Sequence, residues 1–156
     1  MARRAKPGAR KTEPGEASPA RGKAAFEAYL DTSAFIAFLD KSDSYHSTFK
    51  RLFAEPPPLV TSALVIAEGH GWFLRRYDRH RATDFLALLE ALPRLTIQAF
   101  DATELSKVRK TLTRFNDQTL TLADAHGLVI MQDRQNAICW STDRHLGLTG
   151  VDLAIR

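Results

Sequence analysis

Four acidic residues stand at places where an α/β chain can do chemistry: Asp31, Glu68, Asp124 and Asp143. Asp31 closes the apolar run FEAYLD, and Asp143 lies just beyond the apolar run NAICW. Asp124 opens the apolar segment before NAICW, and Glu68 sits inside ALVIAEGHGWFLRRY, directly after LVTS. If the short runs are parallel strands, their carboxyl ends share one edge, where ligands of such folds gather. Carboxylates brought together there repel one another. A hard divalent cation relieves that repulsion, and oxygen-only donors select Mg²⁺ or Mn²⁺. The five histidines (46, 70, 80, 126, 145) are scattered, and no His/Cys spacing suggests zinc.

Each acid also has a purely structural reading. Asp31 can help cap a helix starting at Thr32, and Asp124, three residues after Thr121, suits a capping box and the helix dipole. Asp143 in STDRH can be an ordinary turn residue. Glu68 interrupts an apolar run between Leu64 and Trp72, so on that face it is desolvated and needs a cation. Arg75 or Arg76 could supply one in an ion pair; a metal ion could supply the other kind.

The elements that must position these acids follow from hydrophobic periodicity. FEAYLD is a strand. TSAFIAFLD has helical spacing, with Thr32 or Ser33 as its cap, and Asp43 can cap a helix over SYHSTFKRLFAE, closed by prolines 56–58. LVTS is a second strand, and ALVIAEGHGWFLRRY is a helix despite Gly69 and Gly71, which cost it about 1 kcal/mol each. RHRATDFLALLEAL forms another helix before Pro93, and LTIQAF a third strand. Asp101 and Glu104 open a helix from 103 to about 115, and Thr121 opens one through about Arg134. NAICW is a fourth strand and VDLAI a possible fifth. Short apolar strands alternating with helices predict a three-layer α/β sandwich, with a central parallel sheet of four or five strands covered on both faces.

The chain has 156 residues, 44% of them hydrophobic, enough for one folded domain over 25–156. Residues 1–24, rich in Ala, Gly, Pro, Arg and Lys, are expected to form a disordered basic arm. Seven Lys/Arg against two Glu give residues 1–23 a net +5, so the remaining chain, within a total of +4, carries −1. The arm is either an inert solubilising tail or an element that touches nucleic-acid phosphates. No apolar run reaches the roughly 18–20 residues of a membrane helix, and the basic start lacks a secretory apolar stretch. Cys139 cannot form an internal disulfide with no second cysteine and reads as core. A cytoplasmic protein is the expectation.

Taken in order, LDTSAF (30–35), Glu68 after VTSALV (60–65), TLADA (121–125) and STDRHL (141–146) resemble the PIN-domain family, and within it the VapC-type toxins of toxin–antitoxin pairs. The likeness runs from about residue 26 to the end. It implies a parallel-sheet nuclease with Asp31, Glu68, Asp124 and Asp143 as both catalytic and metal-holding acids, and Mg²⁺ or Mn²⁺ as cofactor. Ser33 and Thr142 match polar positions that orient water at the metal, and Asp117 matches an acid near the third motif. The resemblance further implies an RNA substrate, a cognate antitoxin and a homodimer. The basic arm departs from the usual start of such toxins.

Other readings fit less well. A phosphatase would want an acid at position 33, which is Ser; a receiver domain wants a late Lys, and none follows Lys110; a nucleotide fold wants a Gly-rich first turn, which LDTSAF lacks. The rivals that remain are a catalytically silent PIN-like binding module and an RNA-processing nuclease without an antitoxin.

Overall fold

The computed structural model describes residues 26–134 and 137–155. The arm over 1–24 lies outside the described residues. Four short strands, β1 (Glu27–Leu30), β2 (Leu59–Ser62), β3 (Leu95–Gln98) and β4 (Ala137–Trp140), form one sheet in the order β3-β2-β1-β4. Every pairing is parallel, with Leu30 beside Trp140, Tyr29 beside Val60 and Val60 beside Thr96. The central strands are almost wholly buried, the pattern of a sheet covered on both faces, whereas edge strand β3 leaves Ile97 half exposed.

Among the described residues six helices cover the sheet: α1 (Thr32–Leu39), α2 (His46–Leu52), α3 (Ala63–Arg76), α4 (Arg79–Ala91), α5 (Ala102–Arg114) and α6 (Leu122–Asp133). Alternation along the strands divides the layers. Leu30 and Trp140 share a face, and Phe53, at the end of α2, packs edge-on against Trp140 at 5.3 Å. Tyr29 and Ser62 point to the other face, where α6 meets them through Gly127 and His126. The three-layer sandwich expected from the alternating pattern is therefore the fold.

Several local expectations are corrected. The cap of α1 is Asp31, not Thr32 or Ser33; its carboxylate accepts from the Ser33 N–H. The second helix is shorter than SYHSTFKRLFAE, because Asp43 Oδ1 accepts the Tyr45 N–H and closes a turn before His46. Glu104 does not reach back to its cap but pairs with Lys107. VDLAI adds no fifth strand: it meets β4 only at the Cys139–Leu153 bridge, where Cys139 N–H donates to Asp152 O and Ala154 N–H to Cys139 O. One bridging residue after the turn at Gly150 is too little to form a strand.

On α3 and α4, Phe73 and Phe85 are buried and stack at 5.3 Å, and the partly buried Trp72 and Leu88 pack against the core. Cys139 is buried as expected. None of the described helices is long and apolar enough to cross a membrane.

Contact between α6 and the sheet depends on Gly127. A Cβ there would stand 2.6 Å from the Tyr29 hydroxyl and 2.9 Å from its Cζ, and Tyr29 is fully buried. Gly127→Ala gains about 1 kcal/mol of helix propensity but overpacks a close-packed core at the upper end of the usual range, about 2–3 kcal/mol. We expect a net loss of roughly 1–2 kcal/mol and a melting temperature lower by roughly 2–8 °C. A variant melting with the wild type contradicts this packing.

Candidate functional site

Asp31 is delivered by the end of β1, the strand flanked by β2 and β4. It is 6% exposed, and its Oδ2 accepts from the hydroxyls of Ser33 at 2.7 Å and Ser141 at 2.9 Å as well as from the Ser33 N–H. Ser141, the first residue after β4, also accepts the Asp143 N–H at 2.8 Å, so one buried hydroxyl joins two of the acids. Ser33 Oγ accepts the Thr142 N–H at 2.9 Å, tying the start of α1 to the same loop.

The other acids arrive on separate elements. Ser62, the last residue of β2, caps α3 by accepting the Leu64 N–H, and α3 then carries Glu68 toward β1. The hydroxyl of Thr32, beside Asp31, donates to Glu68 Oε2. Asp124 lies in the first turn of α6, in a capping box: Asp124 Oδ2 accepts the Thr121 N–H at 2.8 Å and Thr121 Oγ1 accepts the Asp124 N–H at 3.1 Å. Asp143 caps a 3₁₀ turn (Arg144–Gly147), its Oδ1 reached by the backbone N–H and ring Nδ1 of His145 at 2.9 and 2.8 Å. The structural readings, caps for Asp31 and Asp124 and a turn residue for Asp143, are thus true and do not compete with a site, since all four acids line one hollow.

That hollow measures about 260 Å³ and is walled by Asp31, Thr32, Ser33, Ile36, Glu68, Trp72, Thr121, Asp124 and Asp143. It gathers four carboxylates and no Lys or Arg. Larger hollows elsewhere gather one carboxylate each, Glu55 beside Phe26 and Trp140 or Asp152 beside the C-terminal segment. Neither Arg75 nor Arg76 pairs with Glu68; Thr32 does. Glu68 is also more exposed than its place in an apolar run suggests, because the buried stripe of α3 runs through Val65, Gly69 and Phe73, one position to its side. Two supporting candidates lie off the hollow. Asp117 is exposed and accepts from the Gln118 amide at 3.0 Å, and Thr142 enters through its backbone.

Burial pushes the Asp31 carboxyl above its ordinary pKa, against the pull of its Ser33 and Ser141 hydrogen bonds. Partial desolvation likewise raises Glu68; the Thr32 hydrogen bond opposes this, while the charges of Asp31 and Asp124 add to it. The acids therefore feel one another across the hollow. Among the described residues no three His, Cys, Asp or Glu side chains form a ready-made metal cage. The chemistry of the donor set nonetheless fits a hard divalent cation: carboxylate oxygens with hydroxyls between them, no competing cation, and negative charge in excess.

Residue types alone did not single out Ser141, the role of Thr32 or the partnership of His145. The STDRH motif marked the loop, but only the approach of β4 to β1 reveals that its Ser holds Asp31. A further buried set fixes the helices that carry the acids. Ser62 Oγ meets His126 Nδ1 at 2.7 Å, and His126 Nε2 stands 3.4 Å from Glu104 Oε2 without forming a hydrogen bond. Burial holds the His126 pKa below its usual value, so the ring is neutral at neutral pH. The set joins β2, α5 and α6 behind the hollow.

A carboxyl whose folded-state pKa lies above its unfolded value loses stability when it ionises, so stability falls as pH rises through and above the carboxylate range near 4. For metal-free protein we therefore expect Asp31→Asn to melt at or above the wild-type temperature at pH 7, with the difference shrinking toward pH 4. Melting curves across that range in chelator check it. A variant that melts well below wild type at pH 7 contradicts the charge balance and shows that the Ser33 and Ser141 hydrogen bonds outweigh the cost of the buried charge.

A family model described as the PIN domain matches residues 28–148. The chain is 27% identical over 118 residues to the 23S rRNA-specific endonuclease VapC20 of Mycobacterium tuberculosis, an alignment covering 74% of this chain and 89% of that protein. The crystal structure of the same relative, described as a sarcin–ricin loop cleaving toxin, superposes with a TM-score of 0.72 at 23% identity, over 80% of this chain and 95% of that one. A chain of VapBC2 from Rickettsia felis, solved with a DNA fragment from its promoter, superposes with a TM-score of 0.55 at 17% identity, over 81% and 96%. At these identities the two structural matches speak for the fold.

Proposed function

The chain belongs to the PIN-domain family, and from that premise we propose that it is a Mg²⁺- or Mn²⁺-dependent endoribonuclease acting as the toxin of a toxin–antitoxin pair. The observation that carries this reading is the hollow at the carboxyl edge of the sheet, where Asp31, Glu68, Asp124 and Asp143 meet with no basic residue among them. The relative VapC20 acts on 23S rRNA, which makes a structured ribosomal RNA loop the first substrate to try. A cognate antitoxin and a homodimer complete the proposal, and a basic antitoxin side chain would complement the hollow.

Asp31, Glu68, Asp124 and Asp143 would hold the cation, directly or through water. When bound, a divalent cation offsets the charge of the phosphodiester and makes a water acidic enough to attack at neutral pH. The chain's own contribution is preorganisation. Ser33 and Ser141 fix Asp31, Thr32 fixes Glu68, and Thr121 fixes the turn bearing Asp124, so the carboxylates need little reordering when charge arrives. Asp143 is held by His145. None of the lining residues is a Cys or His, the hydroxyls of Thr32 and Ser33 are occupied in holding acids and that of Thr121 in capping α6, so the nucleophile this hollow suits is water.

With an RNA hairpin and Mg²⁺ or Mn²⁺, wild-type protein should cut and chelator should stop it. Asp31→Asn and Asp124→Asn should each slow cleavage by about 10³-fold or more, about 4 kcal/mol in the barrier, while remaining folded by circular dichroism. Wild-type rates from either variant, or cleavage indifferent to chelator, contradict the assignment.

A further inference from the structure

The acidic hollow presents a difficulty to any polyanionic substrate: before charge is neutralised it repels the phosphate chain, and residues 24–156 carry a net −1. Besides the basic arm, cations at the lip of the hollow can supply the attraction. One wall continues into such a surface. Glu68, Trp72 and Arg76 are spaced four residues apart on α3 and therefore share one helix face. The first two line the hollow. Arg76 lies about 12 Å further along the helix than Glu68, at 1.5 Å per residue.

Beyond Trp72 the corner between α3 and α4 exposes Arg75, Arg76, Arg79 and Arg81, and none of the four makes an ion pair among the described residues. The corner's geometry is organised. The guanidiniums of Arg76 and Arg81 lie over the Tyr77 ring at 5.6 and 5.8 Å, and the Tyr77 hydroxyl donates to Asp40 Oδ2 at 2.8 Å, fixing the ring against the loop after α1. Tyr77 meets the edge of Trp72 at 5.8 Å. Gly71, lacking a Cβ, leaves room for the Arg75 guanidinium to fold back along the helix; a Cβ there would be 3.1 Å from Arg75 Nη1.

Three carboxylates share the corner: Asp40 accepts from Ser42 and Tyr77 and feels the charge of Arg76, Asp78 caps α4 by accepting the Arg81 N–H at 2.9 Å, and Asp84 stands 3.9 Å from His80. Four arginines against these three acids leave the corner net positive. Guanidiniums held over an aromatic ring match the fork geometry of phosphate oxygens. A half-buried indole between them and the acids offers a face on which an unpaired base can stack.

We propose that Trp72, Arg76 and Arg81 form a strand-binding rim, on which the RNA segment next to the cleaved phosphodiester lies with its phosphates on the two guanidiniums and a base on Trp72. This rests on the ribonuclease reading above and adds where the substrate is held. Arg75 and Arg79 extend the same positive surface.

The test uses full-length Asp31→Asn, which holds RNA without cutting it, and a fluorescein-labelled RNA hairpin followed by anisotropy in Mg²⁺ at several salt concentrations. In that background Arg76→Ala with Arg81→Ala should weaken binding about 10-fold or more. It should also flatten the log affinity–log salt slope by about 1.4, roughly 0.7 for each single-strand phosphate that is no longer neutralised. Lys50→Ala with Arg51→Ala removes the same charge from α2, near the chain's approach to the amino end of β2, and should leave both quantities unchanged. In the active protein the Arg76/Arg81 pair should raise KM about 10-fold with kcat within about 2-fold. The rim is overturned if the two double variants bind alike. It is also overturned if Arg76/Arg81 alters only the mass in light scattering, which would make the corner a protein–protein contact. An Asp31→Asn parent that binds no RNA overturns the ribonuclease reading itself, and the rim with it.

Discussion

Mutual repulsion among carboxylates is the constraint on which the rest of this structure depends. Asp31, Glu68, Asp124 and Asp143 surround a space of about 260 Å³ without a lysine or arginine in its walls. Burial raises the pKa of Asp31, and burial together with the charges of Asp31 and Asp124 raises that of Glu68. A fold can hold such a cluster only if each member is anchored. Here every anchor is short and neutral or local: hydroxyls of Ser33, Ser141 and Thr32, the backbone N–H of Thr121, and His145 two residues from its partner. Hydrogen bonds of this kind orient a carboxylate while leaving its charge in place, which an arginine partner would not do.

The topology makes those anchors possible. With the order β3-β2-β1-β4 and all strands parallel, Asp31 and Ser141 follow adjacent strands and emerge side by side. Ser62 ends β2 and caps α3, so the helix that bears Glu68 starts from the same edge. Asp124 comes from α6, which lies close to the sheet because Gly127 admits the Tyr29 ring and His126 meets Ser62. The capping duties of Asp31, Asp124 and Asp143 serve the same end. A side chain that must hold a helix terminus cannot swing away from the hollow, so local structure and site geometry are enforced by the same bonds.

Much of this was legible in the residues. Strands showed as short apolar runs because both faces of the sheet are covered, and the acids showed because each stood at the end of such a run or broke one. Asp124 was readable twice, as the third residue after Thr121 and as a candidate acid of the site. What could not be read depended on contacts distant in sequence. Ser141 and Asp31 are 110 positions apart, and Thr32 and Glu68 are 36 apart. The apolar neighbours of Glu68 pointed to burial, yet the buried stripe of α3 passes one residue to its side. Asp117 matched the group in sequence but faces solvent with Gln118. VDLAI had the composition of a strand and lacked the length of pairing to become one.

The central claim, that this cluster is tolerable because a divalent cation fills it, is tested most directly by melting the wild-type protein and Asp124→Asn with and without Mn²⁺ at pH 7. Binding to the folded state alone stabilises by about 2.7 kcal/mol at one hundred times the dissociation constant. The account predicts a wild-type melting temperature that climbs steadily with Mn²⁺ and a much smaller rise for the variant. A wild-type melting temperature indifferent to Mn²⁺, or an equal rise in both proteins, would contradict it.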